Sequence, residues 1–333
     1  MAAGGAALSE AQDRLIRTLA SGEIVSGAEL ARILGVSRTA VGNRLRRLAS
    51  LGVEVAAVRG RGYRLAAPLE LLDRNGILAG LAPEVAARIG AFHLPFAVDS
   101  TNAALLRLPV SPQPRLCLAE YQSAGRGRRG RVWQSPLGAQ IPLSIGYCFA
   151  ALPADFAGLG LAVGVMAAQA LQQLGARDIG LKWPNDLIWQ GRKLGGVLIE
   201  LRGEAGGPCD VVVGVGVNVQ LPDLPAGLID QPWTDLGRIL GTNRPHRNRV
   251  AEALIGALIP GLDRFAEEGL APFLPHFRER DVLAGRRIRV EQRGEWLEGT
   301  ARGISERGAL LLENAAGLRP YWSGEVSVRE LSP

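Results

Sequence analysis

Residues 124–133 read AGRGRRGRVW and place four arginines and three glycines within seven consecutive positions. Arginine forks bind anions bidentately, and glycines let backbone N–H groups approach the same anion closely. The stretch therefore has the chemistry to hold a multiply charged small molecule. Gly125, Gly127 and Gly130 also match G-x-G-x-x-G, the turn that seats a dinucleotide's pyrophosphate. That turn requires a helix opening at the glycines, whereas RVWQSPLGAQ follows here, with Pro136 and Gly138 close behind. The match is read as accidental. A disordered arginine–glycine tail is disfavoured too, because the stretch lies between two strand-like segments, RLCLAEYQ and IPLSIGYCF. What remains is a loop that presents cations to an anionic ligand.

Only two of the 38 basic side chains are lysine, Lys182 and Lys193. A coding bias toward arginine accounts for the background, and chance survival is the bland reading of the two exceptions. Lysine is a compact point charge and arginine a wide planar fork, so the two do not interchange at a tight site. Two lysines within twelve positions favour function. Lys182 carries no derivable role beyond positioning.

Three segments could frame such a site. AVDSTNAALL puts Asp99 or Ser100 at a helix N-cap, with Thr101 and Asn102 where backbone N–H groups point outward. GLKWPNDLIWQGRKLGGVLIEL reads as a β-hairpin turning near Gln190-Gly191, so that Lys193 starts the return strand. VVVGVGVNVQ is a buried β-run broken by Gly214 and Gly216. Glycine in a strand marks close approach of a ligand or of another backbone, although each such strand alone is more often a packing solution.

The chain has 333 residues, enough for two or three domains, and is 47% hydrophobic, an ordinary globular composition. The start, MAAGGAALSEAQDR, lacks the basic and apolar regions of a signal peptide. The longest apolar run, 156–168, falls short of the roughly 20 residues that span a bilayer, so no membrane is expected. Cys117, Cys148 and Cys209 form neither a disulfide framework nor a metal pattern, which points to a cytoplasmic protein. His93, His246 and His276 are scattered and read as ordinary residues.

Charge is unevenly placed. Residues 1–66 hold ten arginines and five acids, a net of +5 out of +6 for the whole chain. Within them, SGAELARILG carries a capping box, Ser26 and Glu29, and Gly35 ends the helix. After the turn Gly35-Val36-Ser37, RTAVGNRLRRLASLG forms a second helix with Val41, Leu45 and Leu48 on one face. Thr39, Asn43 and Arg46 lie opposite, with Arg47 beside them. VEVAAVRGRGYRL then reads as a hairpin wing bearing Arg59, Arg61 and Arg64. This is a winged helix-turn-helix, and Ser37, Arg38, Thr39, Asn43, Arg46, Arg47, Arg59 and Arg61 are its candidate DNA contacts. A winged helix used only for protein contacts is the competing reading, and the local charge opposes it. Residues 67–90 read as a linker with a short helix, punctuated by Pro68 and Pro83.

EYQSAGRGRRGRVW, KWPNDL, GRKLGGVLIE and GVGVNV occur in this order, after DSTN and the winged helix. In this the chain closely resembles the bifunctional biotin protein ligases, from about residue 10 to the end. The resemblance implies an α+β protein of three domains. These are a winged helix-turn-helix (1–66), a central mixed β-sheet catalytic domain with helices (91–281) and a C-terminal SH3-like β-barrel (282–333). RRIRVEQRGEWLEGTARGISERGALLLENAAGLRPYWSGEVSVREL fits the barrel, with turns at Arg293-Gly294, Arg307-Gly308 and Ala316-Gly317.

It further implies an ATP- and Mg²⁺-dependent ligase. Biotin's carboxylate attacks the α-phosphate of ATP, and a lysine of a biotin carboxyl carrier protein then attacks the resulting biotinyl-5′-adenylate. Ser100, Thr101, Asn102, Gln122, Arg126, Gly127, Arg128 and Lys193 would bind biotin. Arg126, Arg128 and Lys193 would serve catalysis, with Lys193 between the carboxylate and the α-phosphate. Asn185, Asp186, Asn218 and Trp233 would bind ATP, with Asp186 also near Mg²⁺ and Asn218 at the adenine edge. Operator DNA and a ligand-promoted homodimer follow from the same family. Two departures stand out: the wing RGRGYRL is more basic than the family pattern, and the barrel reads SGEVS where two glycines would precede the acid. Two alternatives stay open: a repressor that only senses an acyl ligand, and a lipoate ligase, which the arginine-rich loop and the winged helix oppose.

Overall fold

In a computed structural model of the chain, which describes residues 9–48, 52–202, 208–225, 227–292, 295–323 and 326–330, Ser9 opens the first helix. Gln12 N donates to Ser9 Oγ at 3.3 Å and Ser9 N donates to Gln12 Oε1 at 3.0 Å, a complete capping box for α1 (Glu10–Leu19). The box expected at α2 (Gly27–Leu34) is only half made. Ser26 Oγ accepts from Glu29 N at 3.1 Å, but the Glu29 carboxylate turns to Arg32, 2.6 Å away. A charged fork one turn along outcompetes a neutral backbone N–H for that carboxylate. Gly35 closes α2 in the left-handed region, at φ 63°. Helix α3 (Arg38–Leu48) follows, capped by Ser37, whose hydroxyl accepts from Ala40 N at 3.2 Å. Strands β1 (Val55–Val58) and β2 (Gly62–Leu65) form the wing, and Tyr63 exchanges backbone hydrogen bonds of 2.9 Å with Val25. Val41, Leu45 and Leu48 are buried as their spacing predicts, against Leu15, Ile16, Leu19 and Leu30.

The stretch expected to be a linker contains two helices, α4 (Arg74–Gly80) and α5 (Pro83–Ala86). Ile77, Leu81 and Val85 are buried in the central core, so from Leu72 onward this segment packs as part of that domain. The central domain continues with β3 (Ala91–His93), β4 (Ala97–Val98), α6 (Thr101–Leu106), β5 (Arg115–Leu118), β6 (Tyr121–Gln122) and β7 (Gln140–Phe149). Then come α7 (Leu159–Gln173), β8 (Gly180–Lys182), β9 (Asp186–Trp189), β10 (Arg192–Arg202) and β11 (Cys209–Asn218). It ends with α8 (Leu236–Leu240), α9 (Arg247–Glu268) and α10 (Leu274–Arg280).

Seven strands make one mixed sheet in the order β3-β5-β7-β11-β10-β9-β8, parallel at β3–β5 and antiparallel elsewhere. Gln190 and Gly191, at φ 47° and 73°, turn the β9–β10 hairpin where its sequence places the turn. Residues 156–173 are apolar and long enough to cross a bilayer by length and composition alone. In the fold they are the core helix: α7 is buried on nearly every side, packed between the sheet and α9, and an all-round apolar helix is what that position requires.

The C-terminal sheet comprises β12 (Arg287–Gln292), β13 (Glu295–Ile304), β14 (Leu310–Asn314), β15 (Gly317–Tyr321) and β16 (Val326–Glu330). It is antiparallel in the order β15-β14-β13-β12-β16, an SH3-like arrangement. The turn between β13 and β14 includes Arg307-Gly308, whereas the β14–β15 turn is Ala315-Ala316, one residue earlier than expected. The turn expected at Arg293-Gly294, and Gly324 and Glu325 of SGEVS, lie outside the described residues. Ile288, Val290 and Leu310 merge with the central core, and the buried Trp183 donates its indole N–H to Gly308 O at 3.0 Å. Replacing Trp183 by Phe strands that buried carbonyl, which costs roughly 1–3 kcal/mol. Urea unfolding of Trp183→Phe is expected to show a lower midpoint, with the shift multiplied by the m-value giving about that free energy, and an unchanged midpoint would contradict the role given to this bond.

Candidate functional site

A cavity of about 390 Å³ opens where the arginine loop covers β7, β10 and β11. Ser100, Thr101, Asn102, Gln122, Arg126, Gly127, Arg128, Asn185, Asp186, Lys193, Asn218 and Trp233 all line it. Residues more than 130 positions apart in the chain thus share one wall.

The floor is a buried polar network. Ser100, rather than Asp99, caps α6. Asp99 points away to Arg107, whose guanidinium at 2.6 Å holds its carboxyl down at about 2. Thr101 donates from N and Oγ1 to Gln122 Oε1, at 2.9 and 3.1 Å. Ser144 Oγ, on β7, lies 2.7 Å from Thr101 Oγ1 and 2.5 Å from Asn102 Oδ1. Asn102 Nδ2 donates to Glu200 at 2.9 Å, and Glu200 also accepts from Arg126 at 3.0 Å. The β11 strand is continuous through Gly214 and Gly216. Any Cβ on Gly214 would collide with the Asn102 amide, and one on Gly216 would sit 2.8 Å from the Trp133 ring. These glycines admit side chains of this same protein.

Lys193 is placed by backbone on three sides. A β-bulge interrupts the β9–β10 register between Lys193 and Gly195, the kind of irregularity that re-aims a side chain. Lys193 N donates to Pro232 O, and Thr234 N to Lys193 O, each at 2.9 Å. The ammonium then lies 2.7 Å from Asp186 Oδ1 and 5.7 Å from the centre of the Trp133 ring. Trp233, bridged to Lys193, stacks under Arg238 at 3.9 Å.

Asn218, expected at the adenine edge, already has both ends of its amide engaged within the protein. Its Oδ1 accepts from Gln140 Nε2 at 2.8 Å and its Nδ2 donates to Thr234 O at 2.9 Å. In this structure it ties β11 to the segment that clamps Lys193.

The arginine loop is a small hairpin, not a helix start. Gly127 N donates to Arg131 O at 2.8 Å and Trp133 N to Gly125 O at 2.9 Å, around one 3₁₀ turn at Arg128–Gly130. Arg128 donates to Asn185 Oδ1 at 3.3 Å and to Ser323 O, and burial lowers its pKa from the ordinary arginine value.

On the N-terminal module, Ser37, Arg38, Thr39, Asn43, Arg46, Arg47, Arg59 and Arg61 are all exposed. Asn43 accepts a hydrogen bond from Arg46, which aligns the two side chains on α3.

Residues 95–218 match the biotin/lipoate A/B protein ligase family, 12–64 an HTH domain, and 284–329 the biotin protein ligase C-terminal domain. The chain is 39% identical over 317 residues to the bifunctional ligase/repressor BirA of Escherichia coli, covering 95% of this chain and 96% of that one. The chain belongs to the bifunctional biotin ligase/repressor family. BirA of Bacillus subtilis is 29% identical over 316 residues, 93% of this chain and 95% of that one. The biotin protein ligase of Aquifex aeolicus in complex with biotin and ATP superposes with a TM-score of 0.63 at 27% identity, covering 73% of this chain and all of that one.

Within this ligase-family cavity, sequence reading missed Ser144, Glu200 and Gln140. Trp133 Nε1 donates to Gln140 Oε1 at 3.0 Å, so Gln140 links the arginine loop's last residue to Asn218. Lys182 lines the cavity and its carbonyl accepts from Asn185 N at 3.1 Å. Among the described residues no three His, Cys, Asp or Glu side chains cluster as a metal site. Asp186 is the one carboxylate offered there by the resemblance, and an ammonium already occupies one of its oxygens. Asp230 is a second carboxylate lining the cavity.

Lys193→Arg keeps the charge but needs room for a planar fork between Asp186 and the Trp133 ring. Adenylate formation, measured as biotin-dependent exchange of pyrophosphate into ATP, is expected to fall at least a hundredfold. Wild-type exchange in that variant would refute the requirement for a compact cation.

Proposed function

We propose that the chain is an ATP-dependent biotin protein ligase that also represses biotin genes. It forms biotinyl-5′-AMP and transfers biotin to a lysine of a biotin carboxyl carrier protein. The observation that carries this reading is the Lys193 ammonium, aimed into a cavity roofed by Arg126 and Arg128. Two unit anions 4 Å apart repel by about 4 kcal/mol at an effective dielectric near 20. Cations held rigidly at the meeting point cancel that repulsion without reorganising as the bond forms.

Biotin's carboxylate oxygen attacks the α-phosphorus, and pyrophosphate leaves. Lys193 sits between the two reacting groups, while Arg126 and Arg128 cover them and exclude water. Thr101, Asn102 and Gln122, polar and buried, face the biotin head. Asn185, Asp186 and Trp233 face the nucleotide, and Asn218 holds the Thr234 carbonyl beside it. Magnesium would enter on the triphosphate, with Asp186 beside it. The carrier's lysine amine then attacks the acyl carbon of the mixed anhydride, and AMP leaves.

The exposed arginines of α3 and the wing give the same chain a DNA-reading face, with biotinyl-5′-AMP as corepressor and a ligand-promoted homodimer as the repressing form. A cytoplasmic location accords with three free cysteines, of which buried Cys117 has its thiol pushed up to about 12 by desolvation.

Incubating the protein with ATP, biotin and an apo carrier domain is expected to add one biotin to one carrier lysine, with biotin outcompeting lipoate. Tight biotin binding without transfer would leave a sensing repressor instead, and preference for lipoate would reassign the substrate. Arg46→Ala with Arg61→Ala is expected to weaken operator binding more than tenfold and to lower the salt slope by about 2, because each phosphate contact contributes about 1. Ligation should persist in that variant, and parallel loss of both activities would contradict separate DNA-binding and catalytic faces.

A further inference from the structure

Arg129 is one of three non-glycine residues with positive φ among those described, at φ 55°. It stands in the middle of the arginine loop, beside Gly130 at φ 72°. A left-handed arginine is disfavoured unless something outside the loop holds it there. An acidic side chain of the C-terminal sheet does so. Arg129 Nη1 lies 2.5 Å from Glu291 Oε2, on β12 of the C-terminal sheet. Glu291 is the better buried of the two, with its side chain 19% exposed against 40% for Arg129. The neighbouring Arg128 reaches the carbonyl of Ser323, on the segment following β15. Val328, on β16, lines the same cavity that the loop roofs. Consecutive arginines are therefore fastened to two separate places in the C-terminal domain, one on its sheet and one on a connecting segment, and Val328 of that sheet adds to the cavity lining.

We propose that Glu291 is a positioning residue that clasps the arginine loop shut through Arg129. The proposal rests on the ligase reading for its consequence but not for its geometry. Glu291 touches neither the cavity nor any reacting group. It acts by fixing the residue next to Arg128, and so decides how firmly the roof stays over a bound acyl-adenylate. The mixed anhydride is open to water and to bystander amines once the roof lifts. A clasp outside the cavity regulates retention without altering the groups that make the adenylate. The C-terminal sheet thereby serves the active site through the loop.

The test has two arms, both on the full chain. In the first, the ligand-free protein is exposed to a trace of trypsin, which cuts after arginine. In Glu291→Ala, cleavage within residues 126–131 is expected to be five- to tenfold faster than in the wild type, with cleavage elsewhere and the melting temperature unchanged. Equal loop cleavage overturns the clasp, as does a general rise at all sites. In the second arm, biotinyl-5′-adenylate made in place from biotin and ATP is chased, and its release is followed. Glu291→Ala is expected to release it at least threefold faster, and the charge swap Arg129→Glu with Glu291→Arg to restore slow release. Release at the wild-type rate in Glu291→Ala, or a swap that fails to restore it, overturns the proposal. Failure of the wild type to form any adenylate would instead refute the ligase reading, and the proteolysis arm would still judge the clasp.

Discussion

Joining a carboxylate to a phosphate brings two anions into contact, and the central domain holds a compact cation, Lys193, at the cavity where such a meeting would take place. Lys193 could not hold its place through its own side chain, which has four rotatable bonds and a strongly hydrated head. Its backbone is held instead. The bulge before Gly195 turns the residue, and the 232–234 segment clamps its N–H and its carbonyl. Asn218, Gln140 and Trp133 form a chain of side-chain hydrogen bonds that ties this clamp to the arginine loop. Position of the cation and closure of the roof are therefore properties of one network.

The same logic explains the glycines. Seven-stranded sheets usually present side chains on both faces, but the face of β11 at the cavity has Gly214 and Gly216. The space they leave is filled by the Asn102 amide and the Trp133 indole. Polar atoms are thus brought to the floor without adding bulk to the strand. Ser144, Thr101, Gln122 and Asn102 satisfy one another there, which is what allows them to be buried at low cost.

How much of this was legible in the sequence differs by kind of signal. Lys193 stood out because arginine dominates everywhere else, and the hairpin that carries it was visible from Gln190-Gly191 and the apolar runs around it. The winged helix was legible from spacing, since Val41, Leu45 and Leu48 are local information. Ser144, Gln140 and Glu200 were not, because a polar residue inside a strand reads as a solvent-facing position. Only the pairing of β7 and β10 with β11, and the seat of α6 above them, brings those positions to the cavity floor. Asn218 was visible as a polar interruption, yet its partners are 78 and 16 residues away, so its hydrogen bonds could not be counted from the chain alone. The segment 67–90 misled for a similar reason. Pro68 and Pro83 are turn signals, and the burial of Ile77 and Leu81 is decided by α9, far along the chain.

The joint between the DNA-reading module and the ligase domain is also built from long-range contacts. Phe96 and Leu137, both of the central domain, belong to the winged-helix core, and Leu69 N donates to Ala20 O at 2.9 Å. Beneath them lies Arg247, whose side chain is only 2% exposed. It donates to Glu70 O at 2.6 Å, to Glu120 Oε2 at 2.5 Å and to Gln140 O at 2.7 Å. Burying a charge costs desolvation that one ion pair seldom repays, so such a hub is weak evidence for added stability. It is better explained by geometry. A guanidinium has five donors in a fixed fork, and here they join the chain between the domains, the start of β7 and a buried carboxylate. An apolar side chain of equal volume would fill the space but would not tell these two stretches of backbone and the carboxylate where to lie. Because Gln140 belongs also to the Trp133–Asn218 network, the residue that seats the inter-domain segment and the residues that seat Lys193 meet at a single position on β7.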